Sequence, residues 1–110
     1  MKNILTICLL VFLNTNAWAQ EPCYAERVAE TAMKMWPDSF ALPGDKIAKW
    51  RYDQGVILQG IEGLWNATGD GKWFNYMQKS MDFYVNNDGS IKGYKPDEYN
   101  IDHLNNGKVL

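Results

Sequence analysis

Apolar residues recur at three- and four-residue spacing in three stretches of this chain, which predicts three helices. The first runs from about Tyr24 to Trp36, with charged residues on its opposite face. Pro37 ends it, because the residue before a proline is pushed out of helical geometry. The apolar stripe of this helix consists of Ala25, Val28, Ala29, Ala32, Met35 and Trp36.

The second predicted helix, from about Tyr52 to Ala67, is apolar on more than one face and should be buried by neighbours on several sides. Gly55, Gly60 and Gly63 would each weaken an isolated helix by about 1 kcal/mol relative to alanine. We therefore expect another helix or a ligand to approach its backbone closely.

A tight turn at residues 68–71, with Gly69 in the left-handed conformation, should join this helix to a third, from about Lys72 to Val85. Ser90–Tyr94 is predicted as a brief extended segment. The second helix has more apolar surface than these partners can cover. The pattern thus predicts an all-α fold with further helices beyond residue 110.

The first 19 residues have the features of an export signal. Lys2 provides the positive start, Ile4–Leu13 a short apolar core, and Ala17-Trp18-Ala19 a small-x-small cleavage site. The apolar run is too short to span a bilayer. We expect cleavage after Ala19, export to the periplasm or outside, no membrane anchor, and a mature domain of residues 20–110.

Cleavage would leave 10 basic and 13 acidic residues, a net charge of −3 without a basic stripe, which argues against nucleic acid as a partner. Cys23 would be the only remaining cysteine, so no disulfide framework is expected. His103 is the only histidine. The chain therefore lacks the soft ligands of a transition-metal site, and we expect neither a metal nor another cofactor.

The last residues place Asp102 in a polar loop and suggest a new helix near Gly107. An isolated apolar turn costs more ordering entropy than its burial returns. This pattern favours the N-terminal part of a larger protein, truncated at residue 110. From the residues alone, Asp102 is a helix cap or a loop-organising carboxylate, or else a group that acts in a cleft.

Several segments in order resemble one family of enzymes. They are Trp50-Arg51-Tyr52-Asp53-Gln54-Gly55-Val56-Ile57-Leu58-Gln59-Gly60, Ala67-Thr68-Gly69-Asp70, Asp88-Gly89-Ser90-Ile91, Tyr99-Asn100-Ile101-Asp102 and Asn106-Gly107-Lys108-Val109-Leu110. Together they resemble the unsaturated rhamnogalacturonyl hydrolases, glycoside hydrolase family 105, which are related to the unsaturated glucuronyl hydrolases of family 88. The resemblance implies about the first quarter of an (α/α)6 toroid of the six-hairpin glycosidase type.

The resemblance also implies a reaction. These enzymes remove a 4,5-unsaturated uronic acid from oligosaccharides that polysaccharide lyases leave behind. An aspartate protonates the double bond and activates the water that adds to it. Of the two aspartates at the site, one matches Asp102, and the second, generally credited as the proton donor, belongs to a segment beyond residue 110. The chain itself would then be an inactive portion of the enzyme.

Substrate contacts are expected at the start of the second helix. The resemblance assigns the sugar pocket to the Trp-x-Tyr element, here Trp50 and Tyr52, and aromatic faces suit the C–H face of a pyranose. Gln54 and Gly55 are further candidates, with a core-and-turn role as the alternative. Arg51 or Lys108 is a candidate partner for a uronate, although such side chains are usually only solvated.

Two other functions stay open at this stage. The chain is alternatively a small secreted helical module that binds carbohydrate or protein without catalysis. A third hypothesis keeps the toroid and changes the reaction, since a fold does not fix a function.

Overall fold

The computed structural model describes residues 23–110 and is all-α, as predicted. Three α-helices, α1 (Tyr24–Met35), α2 (Tyr52–Thr68) and α3 (Gly71–Asp82), precede two 3-10 helices at Pro96–Glu98 and Ile101–Val109. The predicted signal peptide, residues 1–19, lies outside the described residues. Within residues 23–110, no helix has the length and apolar character needed to cross a membrane.

The ends of α1 and α2 follow local signals. The backbone N–H of Cys23 donates to Glu26 Oε2 at 2.7 Å, and α1 ends at Met35, just before Pro37. Gly69 follows α2 with a φ of 68° and donates its N–H to the Trp65 carbonyl, which confirms the left-handed stop.

Helix α3 begins with a side-chain cap and ends earlier than predicted. Asp70 Oδ1 accepts a hydrogen bond from the Lys72 N–H at 2.9 Å. The helix ends at Asp82 instead of Val85, because the chain turns there to pair with the following segment. The Lys92 N–H donates to the Tyr84 carbonyl at 2.9 Å, and Val85 and Ile91 form one antiparallel bridge at the predicted extended segment.

The core lies between α2 and α3. Leu58 and Ile61 of α2 pack with Trp73 of α3, and all three are at most 2% exposed. Two tyrosines fix the long connector between α1 and α2: Tyr76 Oη donates to the Trp36 carbonyl at 2.7 Å, and Tyr84 Oη to the Lys49 carbonyl at 3.1 Å. These buried hydroxyls satisfy backbone carbonyls that helices do not pair.

The chain's last segment differs from the prediction. A helical turn begins at Ile101, not near Gly107, because Asn100 caps it: Asn100 Oδ1 accepts from the Asp102 N–H at 3.0 Å. The resulting 3-10 helix packs against α2.

Some of the predicted apolar stripes are uncovered. A groove of about 490 Å³ runs between α1 and α2, and we call it the apolar groove. Val28 of α1 and Val56 of α2 line it with 51% and 48% of their surface exposed. Its other lining residues are Tyr24, Ala25, Ala29, Ala32, Trp36, Ile57, Gly60, Ile61 and Leu64.

Candidate active site

Asp102 lies in the first turn of the 3-10 helix Ile101–Val109 and is exposed. Its backbone N–H donates a hydrogen bond to Asn100 Oδ1 at 3.0 Å. Three residues before it, Tyr99 has a φ of 46°, which is uncommon for a bulky side chain. Backbone strain of this kind clusters at functional sites.

Two asparagines attach the Asp102 segment to the start of α2, and we call Asn105 and Asn106 the asparagine clamp. Asn105 Nδ2 donates to the Tyr52 carbonyl at 3.2 Å, and Asn105 Oδ1 accepts from Gln59 Nε2 at 3.0 Å. Asn106 Nδ2 donates to Gln54 Oε1 at 3.2 Å. The clamp therefore bridges segments 46 to 53 residues apart in sequence.

Gly55 makes this close contact possible. A Cβ at position 55 would lie 2.6 Å from Asn105 Nδ2, 2.6 Å from Asn106 Oδ1 and 2.9 Å from the Asn105 backbone carbon. The prediction that a glycine of α2 admits a close neighbour is confirmed for Gly55. Around Gly60 and Gly63, no described atom outside the adjacent residues and the nearby backbone of α2 lies within 4 Å of the corresponding Cβ.

Trp50 fixes the same segment from its other side. Its indole nitrogen donates to the His103 carbonyl at 2.8 Å, and its ring meets Tyr84 edge to face at a centroid distance of 5.5 Å. Only 4% of Trp50 is exposed, so most of its ring packs in the core.

The structure brings the five predicted site residues into one neighbourhood but gives them different surroundings. Tyr52 is 50% exposed, and Asp102 is also exposed. Trp50, Gln54 and Gly55 are buried, the last two beneath the asparagine clamp. Substrate contact by these residues stays a prediction, and the direct role seen here for Gln54 and Gly55 is support of the Asp102 segment.

Beside this neighbourhood lies a cleft of about 520 Å³ with a basic rim. Each of its four cations already has a partner. Lys49 and Arg51 pair with Asp45 at 2.8 and 3.0 Å, Lys95 pairs with Glu98 at 3.0 Å, and Lys92 Nζ donates to the Phe83 carbonyl. Arg51, a candidate partner for a uronate, is thus paired within the chain. Other lining residues are Ile47, Ala48, Trp50, Tyr84, Gly93 and His103.

Two groups around this cleft have shifted acidities. The hydrogen bond from Lys49, aided by the charges of Arg51 and Lys49, holds the pKa of Asp45 below its ordinary value. Burial raises the pKa of Tyr84 to about 12, and its hydroxyl donates to the Lys49 backbone carbonyl. The ion pairs of Asp45 and the hydrogen bond of Tyr84 hold the connector before α2 in place.

Within residues 23–110, no group of three or more His, Cys, Asp or Glu side chains is placed to hold a metal ion. His103 Nδ1 is buried without a hydrogen-bond partner among the described residues.

The contacts of the candidate site that the sequence did not reveal are those of Asn105, Asn106 and Gln59. Asn-Asn-Gly is typical of a turn, and nothing local shows that these amides reach α2. The one sequence feature that indicated these contacts was Gly55, because a glycine inside a helix suggests that another segment packs closely against the backbone there.

Comparison with known proteins identifies relatives of this chain. The sequence profile of Glycosyl Hydrolase Family 88 matches residues 24–110. A solved family 105 glycoside hydrolase from C. acetobutylicum ATCC 824 is 36% identical, with a TM-score of 0.62, over 78% of this chain and 22% of that protein. The mannan endo-1,6-alpha-mannosidase DCW1 of Candida albicans is 37% identical over 51 residues, 43% of this chain and 11% of the mannosidase.

The chain thus spans about a fifth of the solved hydrolase and a smaller share of the mannosidase. Its helices correspond to part of an (α/α)6 toroid of the six-hairpin glycosidase type, which confirms the predicted fold class. The profile match covers nearly all of the described residues, and the identity to the family 105 hydrolase extends over most of them. The chain belongs to glycosyl hydrolase family 88, with close similarity to family 105.

Proposed function

We propose that this chain is the N-terminal part of a glycoside hydrolase that removes 4,5-unsaturated uronic acid from lyase-generated oligosaccharides of the pectin or rhamnogalacturonan type. The observation that carries the proposal is the placement of Asp102. It is the residue that matches the family's first aspartate, and its exposed carboxylate stands on a segment clamped to the start of α2, next to the half-exposed Tyr52.

In the proposed reaction, a carboxylic acid adds a proton to the carbon–carbon double bond of the unsaturated uronate. Water then adds to the other carbon of that bond and gives up a proton to the carboxylate. The product is a hemiketal, which opens and releases the shortened saccharide. No metal or redox partner enters this balance.

Asp102 would act through its charge on the second aspartate. A carboxylate close to another carboxyl group raises that group's pKa, because two like charges at short distance repel. A raised pKa keeps the proton donor protonated near neutral pH, where a general acid is most useful. Because the second aspartate would lie beyond residue 110, residues 20–110 alone should not turn over substrate.

The mannosidase similarity favours a second candidate: the same helical framework with hydrolysis of an ordinary glycosidic bond. That reaction needs no double bond in the sugar, so substrate choice separates the two candidates.

The test uses the complete gene product and an unsaturated oligosaccharide made by a pectin or rhamnogalacturonan lyase. Ultraviolet absorbance of the conjugated uronate should fall with time, while the same oligosaccharide with a saturated end is left intact. Persistence of the absorbance would overturn the proposal. Release of sugar from α-1,6-linked mannan oligosaccharides, with the unsaturated uronate untouched, would support the second candidate.

We also propose that residues 1–19 direct export of the protein. Mass spectrometry of the protein recovered from the periplasm or medium should find Gln20 at its N-terminus. Recovery only from the cytoplasm, with Met1 or Lys2 retained, would contradict export.

A further inference from the structure

We propose that Asn105 and Asn106, which pack against Gly55, are positioning residues. They would hold the segment of Asp102 so that its carboxylate lies where the reaction needs it. This inference rests on the proposed function, because it assigns a role in the step that needs Asp102. The asparagine clamp would act through Asp102 and touch no substrate itself.

The first argument is that the clamp is inaccessible. Asn106 has no exposed surface, Gln54 is 1% exposed, and Asn105 is 8% exposed. A sugar cannot reach these amides without displacing the 3-10 helix. Their contribution must therefore come from what they hold in place.

The second argument is the cost of burying amides. An unpaired buried polar group costs about 1–3 kcal/mol, so a core position is normally apolar unless the polar contacts specify something. Asn106 Oδ1 and Gln54 Nε2 have no partner among the described residues, yet the pair is completely buried. An apolar pair would pack with less penalty. The directional bonds instead fix which part of the 3-10 helix lies over which turn of α2.

The third argument is the number of independent ties. Tyr52, Gln54 and Gln59 of α2 each bond an asparagine of the clamp. Trp50 bonds the carbonyl of His103, the residue that follows Asp102. The 3-10 helix that carries Asp102 in its first turn is thus held at His103, Asn105 and Asn106, whereas Leu104 between them is 58% exposed.

Gly55 gives an experimental handle on this arrangement. Adding a methyl group there puts a carbon 2.6 Å from both asparagine side chains, so the clamp must retreat by roughly 1 Å to reach ordinary contact. The 2.9 Å approach to the Asn105 backbone means that the main chain has to move too. Misplacement of a reacting group by about 1 Å can cost about 100-fold in rate.

Gly63 supplies the matched control. It lies in the same helix, and no described atom outside the adjacent residues and the nearby backbone of α2 is within 4 Å of the Cβ that alanine would add. Gly55→Ala and Gly63→Ala both improve helix propensity by about 1 kcal/mol. They differ in that only the methyl group at position 55 would collide with the asparagine clamp.

The experiment measures kcat, KM and the pH profile of the complete gene product on a lyase-generated unsaturated oligosaccharide. Gly55→Ala should lower kcat about 100-fold with KM nearly unchanged, whereas Gly63→Ala should match the wild type. Displacing Asp102 also weakens its repulsion of the second carboxyl group. The high-pH limit of activity should therefore move to lower pH in Gly55→Ala. A merely structural role would lower the amount of folded enzyme without moving that limit.

Gln59→Met covers the case in which Gly55→Ala does not fold. It removes the donor to Asn105 Oδ1 without adding bulk to the contact. It should lower kcat several-fold and shift the same pH limit, while Gln78→Met, an exposed change on α3, serves as its control.

Equal kcat and pH profiles for Gly55→Ala and Gly63→Ala, or for Gln59→Met and the wild type, would overturn the positioning role. If the folded wild-type protein leaves the unsaturated uronate untouched, the proposed function itself fails. The two failures are distinguishable, since only the second is visible in the wild type.

Discussion

The indole nitrogen of Trp50 donates a hydrogen bond to the backbone carbonyl of His103 at 2.8 Å, across 53 residues of sequence. This bond joins the residue before α2 to the residue after Asp102. Trp50, which the resemblance assigned to the sugar pocket, therefore links the two segments that form the candidate site.

Replacing Trp50 by phenylalanine should destabilise the protein more than the same change at Trp73. Both rings are buried and lose the same atoms, so their cavity terms are comparable. Trp73 Nε1 has no partner among the described residues, whereas loss of the Trp50 indole leaves the His103 carbonyl unpaired. We expect Trp50→Phe to lower the free energy of unfolding by about 1–3 kcal/mol more than Trp73→Phe.

Urea denaturation of the complete gene product, followed by circular dichroism, measures both changes. Equal losses for the two variants would show that the Trp50–His103 bond contributes nothing to stability.

Stability should fall as the pH rises from 10 to 12, and Tyr84 should contribute to this fall together with Tyr76, whose pKa burial also raises. The pKa of Tyr84 in the folded protein, about 12, lies above the ordinary value of 10.0 because the ring is buried. The unfolded chain therefore loses this proton first, and the folded state is favoured fully only below pH 10. Tyr84→Phe should flatten the decline, measured as the free energy of unfolding against pH.

Tyr99→Phe is the control for the alkaline experiment, since Tyr99 is 93% exposed. The Tyr99 variant should keep the wild-type slope. A wild-type slope in Tyr84→Phe would mean that Tyr84 contributes nothing to alkaline stability.

Residues 20–110 produced alone should self-associate through the apolar groove. Exposed apolar surface of this size promotes association, and Val28 and Val56 lie on its two walls. Val28→Lys with Val56→Gln should shift sedimentation toward the monomer, whereas Asn75→Lys, on an exposed part of α3, should not. A wild-type chain that stays monomeric and melts sharply would contradict this prediction.

The helices were predictable because their signals are local. The three- and four-residue spacing of apolar residues predicted α1 and α2. With Pro37 and Gly69 as stop signals, the predicted ends lie within one residue of the observed ones. The end of α3 was predicted three residues too late, since apolar Val85 continues the helical pattern while pairing with Ile91. The spacing of apolar residues within a segment cannot show that Val85 will pair with Ile91 instead of extending the helix.

The candidate site was predictable only in part. Asp102 and the Trp50–Gly55 segment were found through resemblance, but the contact between them depends on amides that bond across about fifty residues. The 3-10 helix at Ile101–Val109 lacks a 3.6-residue apolar pattern, and Asn100 reads equally well as a loop residue. The start of this 3-10 helix could be assigned only from the structure, in which the Asn100 side chain caps it.

The most direct test of the proposed function compares Asp102→Asn with Asp97→Asn in the complete gene product. Both are exposed acids on 3-10 helices, and only Asp102 is assigned a role in the reaction. We expect Asp102→Asn to lower turnover of the unsaturated oligosaccharide by at least about 100-fold with unchanged helicity, and Asp97→Asn to retain full turnover. Turnover by Asp102→Asn equal to that of Asp97→Asn would contradict the assignment of Asp102 to the active site.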